Sequence, residues 1–364
     1  MEICSPKQWK TISMGMLTKD GYPVYGANGI IGKYSEYNHD KRTLLITCRG
    51  ATCGTLNICE PYSYVTGNAM ALDDLIAEIE LDYLYYYLLF RGFEDIITGS
   101  AQPQIVRSSL NNISITYPDL SDQHKIVATL DQVNDLISIK NQQLEQLDLL
   151  IKSRFVEMFG DLANPLCAWE KRIIVDCCKN SDDIKCGPFG TQLNKEEYTS
   201  SGVAVWEIAQ INSNFTEQPV HYVSTEKAER LKAYSIIAGD IAMSRKGNVG
   251  KCAVFPNGFS NGIIHSDVLR IRFDSTICNS IFMLCQLHFS KHIINQIKVV
   301  SSGSIMAGIN VTKLKKIEIF LPPLALQTQF ADFVTKVEKQ KTTVKQSLEE
   351  LGTLKASLMQ KYFG

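Results

Sequence analysis

Eight residues, RKGNVGKC from Arg245 to Cys252, gather three basic side chains and two glycines into a stretch that could hold a phosphate. A phosphate loop needs four residues between its first glycine and its Gly-Lys pair, then a Ser or Thr hydroxyl for magnesium. Here only Asn248 and Val249 intervene, and Cys252 follows Lys251. The loop is too short for its N–H groups to wrap a β-phosphate, and the metal-binding hydroxyl is missing. Other chemistries fail in the same way. Gly26, Gly29 and Gly32 in YGANGIIG stand three apart and read as turn glycines, not as a dinucleotide fingerprint. Asn164-Pro165 is followed by Leu166, which breaks the Asp/Asn-Pro-Pro-aromatic motif of amino-methyltransferases.

The eleven cysteines are scattered without a C-x-x-C spacing and read as reduced core thiols. A nucleophilic Cys53 or Cys252 would need a base, and the sequence supplies none recognisably nearby. His288 and His292 stand four apart and could share a helix face, but no Glu follows His288 and no third ligand is near. The reading is therefore no catalytic residue, no metal and no cofactor in this chain. No segment approaches the roughly 20 apolar residues of a membrane span, and the first ten residues lack a secretory pattern, so a cytoplasmic location is expected.

A formal charge of −1 speaks against nucleic acid at first sight, but the total conceals an asymmetry. From Ile241 to Phe320 ten Lys or Arg face three acids, a segment charge of +7 that includes the opening loop. What positions that loop is an internal repeat. Set Gly99-Ser100 against Gly303-Ser304, and the chain matches itself at an offset of 204, without a gap, to Gly160 and Gly364. Identities include Ile105/Ile309, Leu110/Leu314, Pro118/Pro322, Gln123/Gln327, Leu147/Leu351 and Phe159/Phe363.

Each repeat ends in a segment with heptad spacing. The first seam runs through Ile126, Leu130, Val133, Ile137, Leu144 and Leu147. The second runs through Phe330, Val334, Val337, Val344, Leu348 and Leu351. Each predicts a helix of roughly 35 residues. A narrow apolar stripe must be buried, so the two stripes are expected to bury each other as an intramolecular coiled coil. A two-fold relation between tandem copies makes the helices antiparallel.

The expected architecture is mixed α/β with pseudo-two-fold symmetry: a small domain over 1–116, a helix over 117–160, a second small domain over 161–320 and a helix over 321–364. Both domains are expected to begin with an aromatic-basic segment (Trp9-Lys10; Trp169 before Lys171-Arg172). Each passes a basic-Gly loop (Arg49-Gly50…Gly54; Arg245…Gly250), then a helix (Leu81–Ile97; Ile281–Ile297), a Gly-Ser loop and a strand leading to Pro118 or Pro322.

PDLSDQHKIVATLDQVNDLI and its second copy LPPLALQTQFADFVTKVEKQ resemble the Pro-x-Leu…Gln conserved regions of specificity subunits from type I restriction-modification systems, and GSAQPQI resembles the loop before them. That family often has Glu before the conserved Gln, where this chain has Asp122 and Leu326. The resemblance covers nearly the whole chain. It implies two variable target-recognition domains alternating with two conserved helices, in a subunit without catalysis. Such a subunit binds double-stranded DNA and two methyltransferase (modification) subunits, and can also recruit restriction subunits. The resemblance implies adenine methylation, with S-adenosylmethionine held by the partner methyltransferase.

Two similar domains on a helical spacer can each read one half of a split site, and their different sequences imply different half-sites. Base readout needs paired donors and acceptors, Arg for guanine and Asn or Gln for adenine. The candidates are Asn28, Arg49, Thr52, Gln102 and Gln104 in the first domain, and Gln192, Arg245, Lys246, Asn248, Ser304 and Asn310 in the second. The near-zero net charge keeps a second reading open: a scaffold or adaptor whose two α/β domains bind proteins on a coiled-coil spacer.

Overall fold

The structure, a computed structural model, describes residues 3–99, 101–160, 162, 169–301 and 308–364. The chain divides into two compact units, Met1–Gln142 with Lys345–Gly364, and Gln143–Val344.

In the first unit, β1 (Ser5–Gln8), β2 (Tyr22–Gly26), β3 (Gly29–Tyr34), β4 (Thr43–Thr47), β5 (Leu56–Cys59), β6 (Tyr64–Val65) and β7 (Ala69–Asp73) precede α1 (Leu81–Arg91), α2 (Arg107–Leu110) and the start of α3 (Leu120–Phe159). The strands make an antiparallel sheet of order β1-β7-β4-β5 and a smaller one, β3-β2-β6, in which β2 and β6 are parallel. Central β4, TLLIT, is buried along its whole length, and its Leu44 and Ile46 share one core with Tyr83, Leu84 and Leu88 of α1.

The second unit holds β8 (Glu170–Ile173), β9 (Ile184–Cys186), β10 (Val203–Trp206), α4 (Ile208–Asn212), β11 (His221–Val223), α5 (Thr225–Arg230), β12 (Ser235–Ile236) and β13 (Ile241–Ser244). Then come β14 (Cys252–Val254), β15 (Gly262–Ile264), β16 (Val268–Ile271), α6 (Ser280–Phe289), α7 (Lys291–Ser301), α8 (Val311–Leu314), β17 (Glu318–Leu321) and the start of α9 (Leu324–Phe363), whose end belongs to the first unit. Its sheet β9-β16-β13-β14 repeats the order of β1-β7-β4-β5, and β11-β10-β15 repeats β3-β2-β6, with the same antiparallel and parallel pairings. The second unit adds β12 and the pair β8–β17.

The repeat is exact at the helices: α3 and α9 are 40 residues each and begin and end 204 residues apart, as do α2 and α8. Both long helices exceed the expected 35 residues. They run antiparallel within each unit. In the first, Leu130 packs with Met359, and Ile126 and Val127 lie in the same cluster as Phe363. In the second, Phe155 and Phe159 meet Phe330 edge to face, and Lys341 reaches Asp148 at 2.7 Å and Glu338 at 2.8 Å. Leu130, Val133, Phe330, Val334, Val337 and Val344 are buried; Ile126, Ile137, Leu144, Leu147, Leu348 and Leu351 are half-buried.

The repeated glutamines explain how each helix start is fixed. Gln123 donates to Glu78 O and Pro118 O, both at 2.8 Å, and accepts from Glu80 N at 2.8 Å. Gln327 donates to Ile277 O and Pro322 O at 3.1 and 2.7 Å and accepts from Asn279 N at 2.9 Å. One amide thus ties the first turn of a long helix to the segment that starts α1 or α6.

Four expectations are corrected. The segment 281–297 is two helices broken at Ser290, so His288 and His292 do not share a helix. The segment 81–97 stops as a helix at Arg91, where Gly92 takes a φ of 67°. The Trp9 and Trp169 segments are not equivalent: β1 pairs with β7 and corresponds to β9, whereas the segment after Trp169 is β8 and pairs with β17. No strand leads to Pro118; the residues matching β17 have no pairing partner among the described residues.

Candidate nucleic-acid interface

Three loops meet at one rim of the first unit. The β4–β5 loop is closed at its base by Gly54 N–H to Thr47 O and Thr47 N–H to Thr55 O, both 2.8 Å. Gly50 N–H to Pro103 O at 3.0 Å, Ile105 N–H to Cys48 O at 3.1 Å and the bridge Arg49–Gln104 join it to the segment before α2. The Thr52 hydroxyl donates to Asn28 Oδ1 at 2.6 Å, and that of Thr47 to Ala27 O, which brings in the β2–β3 turn. Asn28, Arg49, Thr52 and Gln104 therefore come together from three places in the sequence, with Gln102 in the same loop as Gln104, and all five are exposed.

The second unit builds its β13–β14 loop on the same frame. Gly250 N–H meets Ser244 O at 3.1 Å, Ser244 N–H meets Lys251 O at 2.7 Å, Ile309 N–H meets Arg245 O at 3.2 Å, and Lys246 bridges Gly308. Gly50 and Gly54 have φ of 90° and 91°, Gly247 and Gly250 of 65° and 87°, a left-handed region that favours glycine. The glycines thus serve the turn. The hydrogen-bond register sets Lys246 opposite Arg49, and Arg245 opposite Cys48.

The second set of candidates is partly committed within the fold. The Arg245 guanidinium donates to Ser266 O at 3.3 Å and lies 4.7 Å from the Phe189 ring centroid. Lys246 pairs with Asp267 at 2.8 Å. Gln192 accepts from Phe189 N–H and the Tyr234 hydroxyl, and Asn310 caps α8 by accepting from Lys313 N–H at 2.8 Å. Asn248 is exposed. Ser304 lies outside the described residues. Two of the ten basic residues between 241 and 320 face inward: Arg270, 4% exposed, donates to Ser235 O and Asp182 O, and Arg272 forms a double hydrogen bond with buried Asp240. Burial lowers the Arg270 pKa, whereas the hydrogen bonds from Arg272 to Asp240 raise that of Arg272.

Sequence reasoning missed Phe189, 49% exposed in the GPFG loop and stacked by Arg245. The packing of Gly187 could not be read from sequence either: a Cβ there would stand 2.2 Å from His265 O. The loop is held by that close approach, and Phe189 is presented beside the basic hairpin. An aromatic next to cations offers a base a stacking face.

Cys252 has the base that sequence reading did not find: its Sγ lies 3.3 Å from His288 Nε2. Burial pushes the thiol up to about 12, and burial together with Lys251 lowers the His288 pKa, so both groups are held neutral and no thiolate forms. An unfolded chain takes up a proton at this imidazole near its ordinary pKa, while the folded chain does so only at lower pH. Stability from this site is present above the unfolded value and is lost as pH falls through it. Thermal scans between about pH 7.5 and about 5.5 should show the midpoint falling with pH, and less steeply in His288→Gln. An unchanged slope in the variant would contradict this assignment.

Among the described residues no helix is long and apolar enough to cross a membrane, and no three His, Cys, Asp or Glu are grouped to hold a metal. The profile described as Type I restriction modification DNA specificity domain matches residues 2–149 and 170–353. A Haemophilus influenzae protein, provisionally named type I restriction enzyme specificity subunit S.HindORF215P, is 24% identical over 357 residues, covering 93% of this chain and 86% of its own. The Escherichia coli type I restriction enzyme EcoprrI specificity subunit is 30% identical over 115 residues, 32% of this chain and 28% of that protein. The fold matches the crystal structure of the type I restriction-modification system S subunit from M. genitalium, with TM-score 0.64, 17% identity, and 99% and 94% of the two chains covered. With its two matched copies of the domain, the chain belongs to the type I restriction-modification DNA specificity family, as a recognition subunit and not a catalytic one.

Proposed function

We propose that this chain reads a bipartite, asymmetric DNA site, one half-site with residues 1–116 and the other with residues 161–320. Residues 117–160 and 321–364 act as the helical spacer between the two target-recognition domains. The recognised site then directs adenine methylation, or cleavage, by partner subunits: two methyltransferase subunits, which hold S-adenosylmethionine, and restriction subunits where present. The observation that carries this reading is the pair of basic-Gly hairpins, built on one hydrogen-bond frame in two homologous units yet bearing different side chains. A shared frame that presents Arg49 and Thr52 in one unit and Asn248 in the other, with Lys246 serving phosphate, suits two readers of different sequences.

Large side chains exposed on α3 support a protein partner: Leu136 and Ile139 in the first unit, and Leu149, Leu150 and Val156 in the second. The buried face of α3 leaves these side chains in water, and burial against a methyltransferase subunit would remove them from it.

Binding of the reconstituted complex to duplex DNA should weaken linearly with the logarithm of salt concentration, by about 0.9 logarithmic units per phosphate contact. Lys246→Ala should flatten that slope by about 1 while leaving both half-site sequences unchanged, because a lysine at this position acts on phosphate as a point charge. Salt-independent binding, or protein-only binding by the complex, would favour the scaffold reading.

A further inference from the structure

The sheets β3-β2-β6 and β11-β10-β15 present an apolar side chain that the basic hairpins do not account for. In the first unit Val24 faces Gly32 and Tyr25 faces Ile30, so Ile31 is the extra residue of a bulge. Side chains of a regular strand alternate between faces, and the bulge breaks that alternation: Ile30 and Ile31, though consecutive, are both exposed. Ile31 lies across Gly26, where a Cβ would stand 2.8 Å from its Cγ2. Ile30, 63% exposed, stands two residues from Asn28, whose Oδ1 accepts from the Thr52 hydroxyl at 2.6 Å at the rim of the basic hairpin.

The second unit reaches the same arrangement by another route. Val205 and Trp206 pair in parallel with Ile263 and Ile264, as Val24 and Tyr25 do with Tyr64 and Val65. His221 faces Val205 as Gly32 faces Val24. The residue before His221 is Val220, 71% exposed, where the first unit has its two isoleucines. A tight turn delivers Ile30, whereas α4 and its loop deliver Val220, with buried Gln210 donating to Gln218 O at 3.1 Å to fix the approach. Contacts then lead from His221 to the basic hairpin: its Nδ1 lies 2.8 Å from Glu207 Oε2, Glu207 Oε1 lies 3.9 Å from His265 Nε2, and Asp267 N–H donates to His265 Nδ1 at 3.3 Å. Asp267 in turn pairs with Lys246 at 2.8 Å. Among the described residues from 190 to 298, Val220 is the one large apolar side chain left exposed.

We propose that Ile30 and Val220 each touch the 5-methyl group of a thymine in the major groove, one in each half-site. Thymine is the base that presents a methyl group there, and an apolar side chain reads it by contact. The arginine, lysine and asparagine of the hairpins supply charge and hydrogen bonds, which do not recognise a methyl group. A β-branched side chain is stiff at χ1 and is already held in one direction before DNA arrives. Docking of a protein needs a contiguous apolar patch, whereas the isolated Val220 suits a contact of methyl size. That these residues face DNA rests on the functional reading above; that both units present the same kind of side chain at the same register does not.

The test measures binding of the full chain, assembled with its modification subunits, to duplexes that carry its methylated motif. Each thymine of either strand is replaced in turn by deoxyuridine, which removes the methyl group and nothing else. One replacement in each half-site should weaken binding about fourfold, the worth of one buried methyl group. Ile30→Ala should weaken binding to the unsubstituted duplex by a similar factor and abolish the deoxyuridine response in its own half-site, with the other half-site's response intact. Val220→Ala should do the reverse, and neither change should lower the thermal midpoint, because both side chains are exposed. Deoxyuridine responses that survive both substitutions would overturn the proposal, as would half-sites without thymine. Failure of either variant to assemble with the modification subunits would also overturn it, by making these side chains protein contacts. Sequence-specific binding that no deoxyuridine weakens sinks this inference alone, while the lack of any sequence-specific binding strikes the functional reading and this inference with it.

Discussion

Gln327→Leu should cost the second unit several kcal/mol. The side chain is fully buried and fills three hydrogen bonds, to Pro322 O, Ile277 O and from Asn279 N. Leucine nearly preserves the volume but leaves two carbonyls and one N–H without partners, at about 1–3 kcal/mol each. The sum, roughly 3–6 kcal/mol after partial relaxation, is a large share of the 5–15 kcal/mol that holds a typical domain together. A fall of about 10 °C or more in the thermal midpoint is expected for a unit of this size. Gln123→Leu should do the same to the first unit through Glu78, Pro118 and Glu80. Each variant is expected to sensitise its own unit to proteolysis. A shift below about 1 °C for either would refute the role given to these amides.

Arg49→Ala is the second large effect, on specificity. Arg49 is exposed on the stem of a loop fastened by Gly50 to Pro103 and by the Arg49–Gln104 bridge, so its backbone position does not depend on its side chain. Loss of a bidentate arginine contact to guanine costs about 1–3 kcal/mol of discrimination. The expected outcome is a relaxed base at one position of one half-site, with roughly 10- to 100-fold weaker binding to the original site and the other half-site unchanged. Arg245→Ala should act less cleanly. That guanidinium also holds Ser266 O and stacks on Phe189, so its loss would loosen the GPFG loop together with any base contact.

The sequence carried a good deal of this. The offset of 204 marks the limits of α2/α8 and α3/α9, because heptad spacing and the Pro…Gln starts are local patterns. The basic-Gly loops were legible as counterparts for the same reason: glycine at left-handed positions leaves a trace in the sequence. What was not legible depends on pairings between distant segments. α1 and α6 start 199 residues apart, Leu81 and Ser280, while α2 and α8 start 204 apart, so a single offset misaligns the earlier parts of the units. That is why Trp9 was set against Trp169, although β1 answers to β9. The strand before Pro322 exists because β8 pairs with it, and no local feature of ISITYP tells that no strand lies beside it among the described residues. The inward turn of Arg270 and Arg272 was hidden likewise: charge counted along a chain does not say which side of a strand it faces. Phe189 carries no local signal either, because only the fold brings the Arg245 guanidinium over its ring.

The central claim is that two homologous units read two different half-sites. It is tested most directly by mapping methylated bases by single-molecule sequencing, in DNA from cells that carry the modification subunit with this gene, without it, and with Arg49→Ala. The account predicts a motif of two dissimilar half-sites around an unread spacer, methylated on adenine and present only with the gene, in which Arg49→Ala alters one half alone. Methylation that does not depend on the gene, a contiguous motif, or an Arg49→Ala pattern identical to that of the unsubstituted chain would contradict it.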